Sequence, residues 1–231
     1  YTTGTLLRGI EAGLEKMGVG ATVEALAPVD EFHIGGRPAT MYNIEKMGGF
    51  SADDVVLDVG CGNGGSCRLF KSMGAGKVEG VDLTPEYIEA GKALNAKVGL
   101  DISLSVGDAC KLPTAAGTIT KATVMHVGMN IPDKKALAAS IAATLKPGGV
   151  VCIYDVMKGS GAGEVGYPMP WATEVSHSFL ETAETYKAAF TGAGLTLKYE
   201  EARKDFTVTF IEKVSAWVRS AAARREPQAD G

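Results

Sequence analysis

The sequence contains no apolar run approaching the roughly 18 residues that a membrane-spanning helix needs, and no charged-then-apolar leader opens it. It has no surplus of positive charge: 23 Lys and Arg stand against 27 Asp and Glu, for a formal net charge of −4. A nucleic-acid surface needs clustered Lys and Arg to neutralise phosphates, so none is expected. The one basic stretch, "RSAAARRE" with Arg219, Arg224 and Arg225, reads as a solvated helix end favoured by the helix dipole. Cysteine is scarce. Cys61, Cys67, Cys110 and Cys152 show no paired metal-ligand spacing and lie in or beside apolar segments, which suits buried free thiols in a reducing compartment. Together these absences lead us to expect a cytoplasmic protein with no metal site, no membrane contact and no nucleic-acid partner.

What remains is an ordinary globular composition. With 231 residues, 45% hydrophobic and 22% charged, the chain has material for one good core, and one domain is the default. Its most distinctive stretch is "VVLDVGCGNGG", residues 55–65, where four glycines fall within six positions directly after an apolar run. Such a loop lets backbone amides approach a ligand, and the helix start that follows adds partial positive charge. Gly60, Gly62, Gly64 and Gly65 do not follow the dinucleotide spacing, and the Lys of a phosphate-cradling loop is missing. Asp58 at the loop mouth suits a ligand carrying a positive group better than a pyrophosphate. On this stretch alone, a tight strand-to-helix turn without a ligand stays open.

The rest of the chain alternates. Residues 55–60, 77–83, 101–109, 118–127 and 148–157 are short runs rich in β-branched residues and read as strands. "PEYIEAGKALNAKV" (85–98) and "PDKKALAASIAATL" (132–145) open with proline and carry apolar residues at helical spacing; "KPGG" (146–149) stops the second. Strand–helix alternation of this kind predicts an α/β fold with a mostly parallel sheet covered on both faces. Ligands of such sheets bind beyond the carboxyl ends of the strands, where Asp58, Asp82, Asp108 and His126 all fall. Asp82, about twenty residues after the glycine loop, stands where a ribose would be held, and Asp108 where an adenine edge would be read.

"VLDVGCGNGG", "VEGVDLTPEYIEAG", "GDACKLP" and "LKPGGVVCIYDVM" resemble, in order and spacing, the motifs of the class I S-adenosylmethionine-dependent methyltransferases, over roughly residues 50–160. The resemblance implies a Rossmann-like fold and S-adenosylmethionine as cofactor, with S-adenosylhomocysteine as product. By it the loop of Gly60, Gly62 and Gly64 packs on the methionine part, Asp82 holds the ribose, Leu83 beside it also contacts the cofactor, Asp108 and Ala109 read the adenine, and Asp58 helps hold the amino group through water. "DEFHIGGRPAT", "MHVGMNIPDKK" and "YPMPWA" are similar to the branch containing sarcosine/dimethylglycine N-methyltransferases, and "GGRPAT" to the phosphoethanolamine methyltransferases. This implies an N-terminal helical lid over residues 1–45 ahead of a methyltransferase domain over 46–231. Ile34, Gly35 and Gly36 would line the cofactor, with Tyr42 nearby.

Where phosphoethanolamine enzymes carry an Asp and a His four residues apart, this chain has His126 and Asn130, so those roles do not transfer. Methyl transfer to an amine needs a neutral, aligned nucleophile. His126, at the cofactor and at the end of the fourth strand, is the expected base, with an ordinary pKa of about 6.5 suited to the task. A histidine that only orients a helix start or a cofactor carboxylate is the alternative. His33 is the second candidate and Asn130 a positioning donor. Trp171, Tyr167, Phe32 and Met129 are the expected substrate contacts, Trp171 as an aromatic face for a cationic substrate or as a plug between lid and sheet. The expected reaction is methylation of a small-molecule nucleophile, most simply the nitrogen of an amine or amino acid such as sarcosine or dimethylglycine. O- or S-methylation, or a cofactor-binding protein without catalysis, are the alternatives; a nicotinamide-dependent dehydrogenase fits neither the glycine spacing nor the later motifs. Residues 206–231 read as one last helix and a polar tail, so the family's seventh, antiparallel strand is absent or unrecognisable. The stripe of Phe206, Phe210, Val214 and Trp217 suggests a homodimer contact, or the same stripe folded back in a monomer.

Overall fold

The computed structural model describes residues 5–31, 33–161 and 163–223, of which residues 217–223 as backbone only. Phe32, Arg224, Arg225, the polar tail and the side chains of Trp217 and Arg219 therefore lie outside the described residues.

Three helices open the chain: α1 (Leu6–Met17), α2 (Val23–Asp30) and α3 (Gly36–Lys46). The alternating part follows as β1 (Val55–Val59), α4 (Gly65–Ser72), β2 (Lys77–Asp82), α5 (Pro85–Val98), β3 (Ser103–Val106), β4 (Ile119–Met125), α6 (Lys134–Thr144) and β5 (Leu145–Tyr154), then α7 (Ala183–Gly192) and α8 (Lys204–Ala223). The strands form one sheet in the order β3-β2-β1-β4-β5, every pairing parallel. Among the described residues no further strand joins it, and α8 occupies the place expected for the last helix.

Local chemistry sets the element ends. Proline begins α5 and Gly99, in the left-handed region, closes it. Asp133 caps α6 by accepting from the Ala136 amide, so this helix starts two residues later than the proline suggested. The third strand is shorter than expected because Asp108 turns the chain: its side chain accepts from the Cys110 amide at 2.8 Å. "KPGG" ends α6 as expected but lies inside β5, looped out of the ladder between the Ile119–Leu145 and Lys121–Val150 pairs.

Alternation along β1 builds both halves of the core. Val56 joins Phe70, Ile44 and Leu104 on the α3/α4 side, whereas Leu57 and Val59 pack with Ile119, Val124, Leu137 and Ile141 on the other. Asp58 thus points to the same side as Val56, toward α4 and the N-terminal helices. Those helices are joined to the body by a small core of Ile10, Leu14, Leu26 and Leu94. They are joined again by a fully buried ion pair, in which Arg68 of α4 donates to Asp30 of α2 at 2.5 and 3.1 Å. The same guanidinium donates to the Asn63 carbonyl in the glycine loop and to Asn95 of α5, both at 2.9 Å. One side chain thereby ties the N-terminal segment, the loop and α5 together.

Candidate active site

The carboxyl ends of the five strands form a rim, and the glycine loop sits at its centre. Gly60 approaches the next rim element so closely that any Cβ would collide with the Val127 side chain. Gly62 differs: its φ is +55° and a Cβ there would meet no atom within 4 Å. Beside it Asp82 accepts from the Gly62 amide at 2.8 Å and, through its other oxygen, from the Thr84 amide at 2.9 Å. Each oxygen keeps a lone pair for a further donor. Leu83, next along, is 72% exposed, an apolar side chain presented at the rim. Asp108 is exposed, with one oxygen holding the Cys110 amide, and Ala109 packs partly against the core. Gly64 is the N-cap of α4, its amide bonded to the Cys61 carbonyl at 2.9 Å.

Asp58 is buried, accepting from the Thr123 hydroxyl at 2.6 Å and the Cys67 thiol at 3.8 Å. Burial pushes its carboxyl up to about 7, with the charge of Glu31 adding to the effect.

His126 is the non-glycine residue with a left-handed backbone, at φ 55°, among the described residues. That turn carries the chain out of β4 while the His126 amide still bonds the Tyr154 carbonyl at 2.8 Å. Neither ring nitrogen has a hydrogen-bond partner within the described protein. The ring lies 5.2 Å from Tyr154 and 5.8 Å from His33 between centroids, so lid, β4 and β5 meet at one aromatic cluster. Burial and the neighbouring His33 push the His126 pKa down to about 4. This corrects the expectation of an ordinary imidazole: at neutral pH His126 is an uncharged acceptor and a weak base.

His33 is held by three groups. Its Nε2 lies 3.1 Å from Glu31 and 2.9 Å from Thr40, and its Nδ1 lies 3.3 Å from the Ile34 carbonyl. Thr40 also donates to Glu31 at 2.7 Å. Burial raises Glu31, but the bonds from His33 and Thr40 outweigh it and hold this carboxyl below its usual range. Tyr154 donates to the Ile34 carbonyl at 3.1 Å, fastening the lid loop to β5. Gly35 packs against Ala39 and the Phe206 ring of α8, and Gly36 opens α3.

Several expected contacts find other partners. The Asn130 amide donates to the carbonyls of Trp171 at 2.8 Å and His177 at 3.0 Å, so it fastens the loop after β5 instead of facing a substrate. Met129 is buried, and its carbonyl accepts from the Phe179 amide at 2.7 Å. The Tyr42 hydroxyl donates to Glu201 at 2.6 Å and lies 3.1 Å from Tyr199, with Arg203 over its ring; it belongs to the 199–203 segment. Trp171 is half-buried, its indole donating to Ser178 at 3.0 Å, and Tyr167 is half-buried in the same loop. Glu31, Thr40 and Tyr154 are site residues that sequence reasoning missed. Glu31 was visible only as one acid among many; Tyr154 had a signal, as the lone aromatic at the end of a strand on the rim side.

Strand order, glycine loop and acidic rim define a class I methyltransferase fold. More particularly, residues 56–149 match the methyltransferase domain family. It is similar to a probable chloroplastic tocopherol O-methyltransferase of Oryza sativa subsp. japonica, 35% identical over 127 residues, covering 51% of this chain and 35% of that protein. The chain thus spans about a third of the length of this curated relative. Among solved structures it is similar to a "putative sarcosine dimethylglycine methyltransferase" from Galdieria sulphuraria, at TM-score 0.68 and 20% identity over 82% of this chain and 71% of that one. It is also similar to phosphoethanolamine N-methyltransferase 2 of Haemonchus contortus in complex with S-adenosyl-L-methionine, at TM-score 0.68 and 22% identity over 87% and 47% of the two chains. No helix among the described residues is long and apolar enough to cross a membrane.

Proposed function

We propose that the chain binds S-adenosylmethionine along the carboxyl rim and transfers its methyl group to a small-molecule nucleophile, most simply the nitrogen of a small amine or amino acid. The residues suit the cofactor. Space at the Gly62 Cβ position admits a ligand against the backbone, Asp82 retains acceptors for ribose hydroxyls, and exposed Leu83 offers an apolar face to adenine. Asp108 and Ala109 would read the adenine edge, and Ile34, Gly35 and Gly36 would close over the methionine end. When bound, the cofactor supplies an activated sulfonium methyl. The protein's part is to align the nucleophile and exclude water.

One observation carries the catalytic reading: His126, in a strained backbone at the rim, presents a neutral imidazole with both nitrogens unclaimed. Such a ring accepts a hydrogen bond from a substrate N–H and points the nitrogen lone pair away from itself. Its low basicity means that it orients the nucleophile and does not store the proton. Desolvation in the cluster of His33, His126 and Tyr154 favours the uncharged amine. Trp171 and Tyr167, on the loop that Asn130 fastens, are proposed as the substrate-side wall, and residues 1–45 as a lid whose α2 end is anchored by the Asp30–Arg68 pair.

The test is release of S-adenosylhomocysteine from the full chain with panels of amines, phenols and thiols. Turnover with amines, reduced about 10- to 100-fold in His126→Ala, is expected. Turnover confined to phenols or thiols would replace the nitrogen assignment, and cofactor binding without turnover in any panel would favour a non-catalytic binding protein.

A further inference from the structure

Behind the rim, on the face of β5 opposite Tyr154, a second polar cluster has no part in the reading above. Asp155 follows Tyr154 and is half-buried against the turn that succeeds His126. One of its oxygens accepts from the Tyr186 hydroxyl of α7 at 2.8 Å, and the other from the Val156 amide at 2.9 Å. The Met129 amide is a further donor to it. The short 3-10 turn Gly128–Asn130 is packed directly on this pair: a Cβ on Gly128 would lie 2.5 Å from the carboxylate and 2.6 Å from the Tyr186 hydroxyl. From the same turn, Met129 accepts from Phe179 and Asn130 donates to Trp171 and His177. Lys134 of α6 completes the frame. It donates to the carbonyls of Ile131 and, at 2.7 Å, Phe179, with its ammonium 5.4 Å from the Tyr186 ring centre.

We propose that Asp155 and Tyr186 are positioning residues, whose hydrogen-bonded pair fixes the Gly128–Asn130 turn and through it both the imidazole of His126 and the loop that carries Trp171. The argument is one of connectivity. His126 has no side-chain tether of its own, so its orientation is set by the backbone on either side: the bond to the Tyr154 carbonyl before the turn, and the turn itself after it. The carboxylate is the common acceptor for the turn, for the strand end and for α7. Protonating it would place a hydrogen on an oxygen that now faces amide donors, and one of those bonds would be lost.

This gives the site a pH response. Burial holds the Asp155 carboxyl up at about 6, with bonds from Tyr186, Val156 and Met129 and the charge of Lys134 opposing the rise. The groups facing it are Tyr186 from α7, Lys134 from α6 and, beyond them, Glu181 ahead of α7, which acts on both of these. Positioning requires the ionised form and is lost as pH falls through about 6. The sign for stability is opposite: a carboxyl raised on folding favours the folded state at low pH, so the loss of positioning is local and not an acid unfolding.

The inference rests on the proposed methyl transfer for its activity readout, and a second readout is independent of it. The full chain in a Trp217→Phe background leaves Trp171 as the only tryptophan, because the sequence has two. We expect Trp171 emission and the rate of S-adenosylhomocysteine release to change together near pH 6. Tyr186→Phe removes a donor that lowers the Asp155 carboxyl, so both transitions should move up by about one pH unit. The rate deficit of that variant should then be about threefold at pH 6.5 and vanish by pH 8.5. Asp155→Asn, in the same background, should show neither transition. Identical emission profiles in all three proteins, or a Tyr186→Phe deficit equal at every pH and accompanied only by a lower melting temperature, would overturn the proposal. Absence of turnover in the parent would count against the proposed reaction alone, with the emission profiles still deciding the positioning role.

Discussion

Placing alanine at Gly62 tests whether the glycine loop is bare for the sake of a ligand. The backbone there has φ +55° and the Cβ would enter open space, so the apoprotein should feel only the strain of a left-handed alanine. That strain is about 1–2 kcal/mol, or a few degrees in melting temperature for a chain of this size. Gly99 supplies the control: it has φ +74° at the end of α5, an equally open Cβ position, and no place on the rim. Gly62→Ala and Gly99→Ala should therefore lose similar stability by thermal unfolding without ligand. Their affinities for S-adenosylhomocysteine, read by calorimetry, should part. A methyl group forced into a fitted ligand interface costs about 1–3 kcal/mol, which corresponds to roughly 5- to 150-fold in Kd. Gly99→Ala should bind like the parent. Equal affinities in the two variants would refute the idea that Gly62 faces the cofactor, whatever their stabilities.

Asp82→Ala should weaken S-adenosylhomocysteine binding by about 1.5–3 kcal/mol, the range for hydrogen bonds to a charged group; unchanged affinity in calorimetry would remove Asp82 from the site. Asp30→Asn leaves Arg68 buried without its counter-charge, and urea denaturation should register a loss of about 3–5 kcal/mol; a loss below about 1 kcal/mol would mean that the pair does not anchor α2. Asp58, pushed up to about 7 by burial, favours the folded state below pH 4 and loses that contribution as pH rises through 7. Asp58→Asn should thus reduce the fall in unfolding free energy between pH 5 and pH 8 by on the order of 3 kcal/mol. A parallel pH profile in the two proteins would contradict this placement of the carboxyl.

Local signals carried far in this chain. The span of α5 was legible to the residue because proline, helical periodicity and a closing glycine all act within a few positions. The glycine loop and the acids at the strand ends were legible because strand and turn chemistry places them without reference to distant residues. What escaped was set by long-range approach. The Tyr42 hydroxyl meets Glu201 across 159 positions, and Asn130 reaches Trp171 across 41. The imidazole of His126 was expected to behave ordinarily because its spacing says nothing of the burial, or of the lid histidine, that lower it. Glu31 acquires its role only when the α2–α3 turn folds Thr40 and His33 back upon it.

The central claim, a cofactor bound along the rim with the adenosine side on Asp82, is tested most directly by titrating the full chain with S-adenosylmethionine and S-adenosylhomocysteine in a calorimeter, beside Asp82→Ala. The account predicts one molecule bound per chain, with the affinity lost or sharply weakened in the variant while its fold, followed by circular dichroism, persists. A folded parent protein that binds neither compound would contradict it.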